Sequence, residues 1–256
     1  MKSNWKKLAV GIAVVGLGTL ISCNRSGGTG HVQMRLMDAP SPYAYEAIYL
    51  DVQGVEVNLT QESGSDWISL HSSAGVYNLL SLVNGTDVLL VSEDVPEGRI
   101  EQVRLILGSG NTIVVNGVSY PLTIPSGSES GLKINVHENL AAGEVMAIML
   151  DFDAAHSVEV TGNGEYKLKP VIHGYLAGQR GQVHGTVLVP SAGVAVIASN
   201  SAVSYSTYAD AASGEFLIRG MMPGTYTVNV YLVNNPSPIT YTNVAVTAGI
   251  TTEVAP

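Results

Sequence analysis

Cysteine is nearly missing from this sequence: 256 residues contain one, Cys23. A framework of internal disulfides is therefore excluded. Phenylalanine and tryptophan are scarce too, at two each, so the core must be filled by Val, Ile, Leu and Tyr, which favours strands. Charged residues make up only 13% of the chain, and 12 basic against 21 acidic residues give a formal net charge of −9. The basic footprint of a nucleic-acid binder is lacking, so nucleic acid is not an expected partner. At 46% hydrophobic the chain is not disordered, and its length suits one large or two modest domains. The uncharged run Leu8 to Leu20 has 13 residues, well under the roughly 20 that a helix needs to cross a bilayer.

What is present near the amino end gives that run a purpose. Lys2, Lys6 and Lys7 precede it, the shape of a secretory signal with a basic start and a short apolar core. It ends in Leu20-Ile21-Ser22-Cys23, which resembles the lipobox of bacterial lipoproteins. The resemblance implies that residues 1–22 are a cleaved signal peptide and that Cys23 becomes an acylated first residue carrying palmitate-like chains. The alternative is an ordinary signal peptide beside a stray thiol. Two or more acyl chains, at about 0.8 kcal/mol per buried CH₂, anchor a protein stably to a membrane. Residues 23–30 then read as a flexible polar tether. Neither an aspartate nor an acidic run follows Cys23, so the resemblance implies the outer membrane, facing the periplasm, with the cell surface left open. Loss of the three lysines takes the formal charge from −9 to −12.

Along the rest of the chain a two-residue period recurs, and the fold class expected is all-β, two β-sandwich domains in tandem. In Ile48 to Val52 the aliphatic side chains take even positions and in Val55 to Leu59 odd ones, so Gly54 is expected at a bulge. Further strands are expected at 32–37, 101–107, 112–115, 118–124, 132–136, 145–152 and 166–172, with a short helical turn within 76–83. The run 145–150 is apolar on both faces, as a central strand would be. Pro121 and Pro125 bracket residues 122–124 as they would in an edge strand. Gly-rich residues 174–181 read as a linker, dividing a first domain over 31–173 from a second over 182–256. Of the 21 acidic residues, 18 fall in the first.

In the second domain Tyr226, Val228 and Val230 face one way, after Pro223-Gly224, which suits a type II turn. With Gly181 to Val187, Asp210 to Phe216 and Val244 to Gly249, this order resembles the carboxypeptidase regulatory-like domain, a small transthyretin-like sandwich. The resemblance implies a non-catalytic stabilising or interaction module. Ala211-Ala212-Ser213 departs from the tighter, more acidic turn usual in that family, which weakens any calcium role for Asp210.

The first domain resembles the lipoprotein family DUF4382 through "LMDAP" at 36–40, "YLDVQGVEV" at 49–57, Trp67, "YNLLSLVNG" at 77–85, "VPEGRIEQVRLIL" at 95–107, "VNGVSYPLTIPS" at 115–126, "LDFD" at 150–153 and "YKLKPVI" at 166–172. The resemblance implies no established activity.

Candidate chemistry is sparse. Asp151 and Asp153, two apart at a strand end with His156 nearby, would share a face and hold a cation such as calcium; alternatively they are solvated turn residues. His137, His156 and His173 lie at separate strand ends without metal-ligand spacing. Ser126 to Gly131 is rich in hydroxyls but has no base announced beside it. Tyr43, Tyr45, Tyr49, Tyr205, Tyr208 and Tyr241 would form a carbohydrate-stacking surface or fill sandwich interiors. The expectation is a non-enzymatic lipoprotein, without a catalytic site or cofactor, held to the membrane by lipid on Cys23 and binding envelope proteins or glycans. A subunit of a surface fibre or adhesin is the first alternative, and a hydrolase of envelope polymers the second.

Overall fold

Alternation of apolar and polar residues builds most of the first domain. In β1 (Thr29–Asp38) Val32, Met34 and Leu36 are fully buried while His31, Gln33 and Arg35 face outward. The computed structural model describes residues 27–38, 45–124 and 131–255. The strands that follow are β2 (Ala47–Gln61), β3 (Gly64–Leu70), β4 (Gly75–Asn78), β5 (Val88–Pro96), β6 (Gly98–Leu107), β7 (Thr112–Val115), β8 (Val118–Thr123), β9 (Leu132–Leu140), β10 (Val145–Phe152), β11 (Val158–Val160), β12 (Tyr166–Leu168) and β13 (Ile172–Leu176). They form two facing sheets. One has the order β13-β10-β1-β5, and the other runs β11-β12-β8-β7-β2-β6-β9, with β3 and β4 on the far side of β2. Ile48, Leu50, Val57, Val103, Leu105, Ile148, Leu150 and Phe152 meet between them.

Gly54 does mark a bulge, since the β2–β6 register shifts between Val52 and Gly54. Residues 76–83 divide into the end of β4 and a single 3-10 turn, Leu79–Ser81. Three expectations need correction. The strand expected over 166–172 breaks into β12 and β13, because Pro170 has no N–H and Lys169 donates its own to Ser157 O instead. β8 is not an edge strand. It lies between β7 and β12, and pairing with β12 begins at Leu122, one residue past Pro121, so the missing N–H is never required. Gly174 to Leu176, expected within the linker, belong to β13, leaving a 3-10 turn, Ala177–Gln179, as the connection.

The second sandwich comprises β14 (Gly181–Thr186), β15 (Ala195–Ser199), β16 (Ser204–Tyr208), β17 (Glu215–Met221), β18 (Gly224–Tyr231), β19 (Ile239–Val246) and β20 (Thr251–Val254). Its sheets have the orders β17-β14-β20 and β16-β15-β18-β19. Tyr226, Val228 and Val230 face inward as their spacing requires, packing with Phe216 and Ile218. The turn before β18 is not of type II, because Gly224 is not among the glycines with positive φ, whereas Gly214 and Gly220 are.

The two sandwiches are joined side-on. Register places Arg35, Met149 and Tyr175 in one outward row and Met37, Asp151 and His173 in the next. Met37 and Met149 are each only 7% exposed although they point away from the first core. β17 accounts for this: Gly220 approaches the Tyr175 hydroxyl, and Arg219 reaches Asp87 beside β5. On the outward face of β10 the second domain therefore covers Met149, whereas Val145 at the start of the strand is 65% exposed.

Candidate functional site

At one end of the first sandwich, segments far apart in sequence interlock. β1 and β10 run parallel, so Asp38 lies beside Phe152. Asp38 N–H donates to Leu82 O at 2.9 Å, and its Oδ1 accepts from Ala154 N at 2.9 Å. A single helical turn, α1 (Ala154–Ser157), follows β10, and Asp153 caps it by accepting from His156 N at 3.1 Å. The other Asp153 oxygen meets His156 Nδ1 at 2.7 Å. Ser157 Oγ donates to Asp153 O and accepts from Val171 N, and Asp153 N donates to Val171 O, which staples the turn to the chain entering β13.

From this end the first domain grips the second. Asn84 and Gly85 take left-handed conformations, with φ of 52° and 86°. The Asn84 amide behaves as a short strand. It donates to Glu215 O at 3.1 Å and accepts from Leu217 N at 2.6 Å, satisfying the outer edge of β17. Three residues on, Asp87 accepts from Arg35 of its own domain through Oδ1 and from Arg219 of the second through Oδ2, the latter at 2.6 Å. Burial pushes the Asp87 carboxyl up, but hydrogen bonds and charge from Arg219 and Arg35 outweigh it and hold the group below the usual carboxylate range.

Between the grip and α1 is a cleft of about 330 Å³. Asp153, His156 and His173 line it from the first domain, and Ser204, Tyr205 and Ser206 from the second. Tyr205 is fixed there by accepting from Met222 N at 3.1 Å and by edge-on contact with Tyr226. The lining offers hydroxyls, imidazoles and an aromatic ring, a set suited to holding a polar ligand.

Residues 29–170, more than half of the chain, match the family model described as Domain of unknown function (DUF4382). The chain belongs to this family. Residues 179–254 match a model described as Polysaccharide lyase family 4, domain II, a different description from the carboxypeptidase-like resemblance. No curated protein matches the chain. Among solved structures, the Bacillus anthracis TIE protein aligns at 11% identity over 90% of this chain and 33% of its own, with a TM-score of 0.21. A minor pilin of Streptococcus agalactiae aligns at 13% identity over 88% of this chain and 94% of its own, TM-score 0.21. A fimbrial protein of Bacteroides ovatus aligns at 9% identity over 90% and 48%, TM-score 0.26. The chain thus spans about a third of the length of the first of these. Likeness at such scores carries no functional inference.

In this DUF4382 protein the motifs "LMDAP", "VNG" and "LDFD" converge on the domain junction through Asp38, Asn84 and Asp153. Cys23 and the run before it lie outside the described residues, as do Tyr43 and Ser126 to Ser130. The two aspartates expected to hold a cation, Asp151 and Asp153, have different surroundings. Both Asp153 oxygens are engaged by His156, whereas Asp151 points outward from β10 beneath the second domain, in register with His173. Burial, opposed by His173 and reinforced by Asp153, pushes the Asp151 carboxyl up to about 6, and its Oδ1 has no hydrogen-bond partner among the described residues. His137 pairs with Glu101 at 2.7 Å, away from His156 and His173, and no group of three or more metal-ligating side chains forms among the described residues. The tyrosines divide between domains, Tyr45 against the first core, Tyr205 and Tyr241 against the second. Sequence reasoning missed Asn84, Asp87 and Arg219. The Asn-Gly pair was the available signal, since it marks a left-handed turn.

Proposed function

We propose that this DUF4382 protein is a non-enzymatic envelope lipoprotein, in which lipid on Cys23 and the tether behind it present a rigid pair of sandwiches to an envelope protein or glycan. The observation that carries this reading is the grip of Asn84 and Asp87 on β17, which makes one body of two domains and frames a polar cleft between them. Among the described residues the His156 imidazole has no nucleophilic side chain hydrogen-bonded to it, and the nearby Ser157 hydroxyl is spent on the Asp153 backbone carbonyl, which supports binding over hydrolysis. The second sandwich is read as an accessory interaction module, of the carboxypeptidase regulatory-like kind. The polysaccharide lyase name attached to its matching family adds weight to a glycan partner. The location is the outer membrane, facing the periplasm or the cell surface.

Globomycin should block maturation, and Cys23→Ala should move the protein from the detergent phase to the aqueous phase. Cross-linking in gently solubilised envelopes should recover a partner; recovery of the protein alone across growth conditions would count against the reading. A second reading, a fibre subunit, is favoured by an apolar groove of about 210 Å³ in the second domain lined by Leu188, Val189, Leu232, Ile239 and Tyr241. Leu188 and Val189 are 76% and 69% exposed there, enough to seat a strand from another copy. Monomers at all concentrations and no polymers on cells would remove it.

A further inference from the structure

The sheet containing β2 turns its outer face away from the second domain, and its register builds two ordered rows across four strands. One row is Trp67, Asn58, Gln102 and Asn135, on β3, β2, β6 and β9; the other is Ser69, Glu56, Arg104 and Lys133 on the same strands. An outward face of an antiparallel sheet is ordinarily a solvated surface. Three features set this one apart.

First, both phenylalanines, Phe152 and Phe216, are buried in the cores, yet Trp67 stands partly exposed on a polar face. The Arg104 guanidinium, 3.6 Å from its ring centroid, fixes the indole, and Arg104 is held in turn by Glu56 at 3.2 Å. Second, the three amides are pre-oriented. Asn58 Oδ1 accepts from Ser65 Oγ at 2.9 Å, which leaves its N–H₂ to donate outward. Gln102 Nε2 donates to Asn135 Oδ1 at 2.8 Å, which leaves the Gln102 carbonyl to accept and the Asn135 N–H₂ to donate. Donors and acceptors therefore alternate along a line, the pattern that hydroxyls of a sugar chain can meet, each being donor and acceptor at once. Third, Lys133 is exposed and in no ion pair among the described residues; its Nζ lies 6.0 Å from the Trp67 ring centroid, which sets a positive charge beside the indole on a chain of net charge −9.

We infer that this face binds an acidic polysaccharide, with Trp67 against a pyranose ring, Asn58, Gln102 and Asn135 on its hydroxyls, and Lys133 meeting a carboxylate. The inference rests on the binding-module reading above and names a ligand class for it.

The test is affinity electrophoresis of the full-length, detergent-solubilised lipoprotein through native gels containing polygalacturonate, dextran or polyphosphate. Retardation by polygalacturonate alone, weakened by salt, is expected. Lys133→Ala should weaken it about tenfold, the loss of one charge-assisted contact, and Trp67→Ala or the Asn58→Ala/Gln102→Ala pair by at least as much. Lys133 is exposed, so its variant retains the fold, and thermal midpoints verify the others. Retardation unchanged in Lys133→Ala and Trp67→Ala, equal retardation by dextran or polyphosphate, or none in any gel would overturn the inference. Partner recovery by cross-linking and the partitioning of Cys23→Ala are read separately, so failure on these gels leaves the lipoprotein reading standing.

Discussion

Asp87 joins the two domains through Arg219, whose Nη1 donates to Asp87 Oδ2 at 2.6 Å while Arg35 holds the other oxygen. The carboxylate is 12% exposed and its partners 39% and 26%, so the triad is half-shielded from water and more than a surface pair. Asp87→Ala would strand two guanidinium groups and should cost about 2 kcal/mol. Calorimetry of the intact chain should show one unfolding transition becoming two, and protease should cut sooner within 177–180. Because the Asp87 pKa is depressed, its contribution is present at neutral pH and is lost only as pH falls below about 4.

Asn84 meets β17 as a missing strand would, and its own φ of 52° is one that Asn tolerates better than most residues. Asn84→Ala removes both bonds and strains the backbone, for a loss of about 2 kcal/mol. Asn84→Asp retains the acceptor for Leu217 N–H but cannot donate to Glu215 O, and should lose less. Hydrogen exchange distinguishes the two: the Leu217 amide should exchange fast in the alanine variant and stay protected in the aspartate one. Gly85→Ala should be as harmful as Asn84→Ala, since φ is 86° there and a Cβ would come within 2.7 Å of Leu217 Cδ2.

Local features of the fold were legible in the sequence. The change of buried face across Gly54 required a bulge, because side chains alternate strictly along a strand. The doubly apolar run 145–150 called for burial on both faces, which holds at Met149 under the second domain but not at Val145, which stays exposed. Asp151 and Asp153 were a fair pair by spacing. Only the register showed that one falls under the second domain and the other caps a turn. Asn84 and Asp87 were invisible for a related reason: their partners in the second domain are more than 130 residues away, on a strand whose own pattern reports only its core face.

Asn111 offers a contrast within the first domain. It is 3% exposed, accepts from Asp51 N at 2.9 Å and donates to Gly108 O at 2.7 Å, which closes the break where β6 gives way to β7. Asn111→Ala leaves a buried N–H and a buried carbonyl without partners and should destabilise by about 2–3 kcal/mol. Denaturant unfolding should show a lower midpoint with a single transition retained, because the junction is untouched.

Asp151 should behave in the opposite sense to Asp87. Its carboxyl is lifted from 3.8 to about 6 by burial under the second domain, so between those values the folded state binds a proton that the unfolded state has released. Stability contributed by this group is therefore complete below about pH 4, declines as pH rises through about 6, and stays lost above it. The difference corresponds to roughly 3 kcal/mol as an upper figure. Asp151→Asn removes the charge and retains the shape, so the variant should be more stable than the native chain at pH 7.5 and nearly equal to it at pH 4. Thermal midpoints of the two proteins across that range decide the matter. Parallel curves would mean that Asp151 is solvated and that the second domain does not cover it.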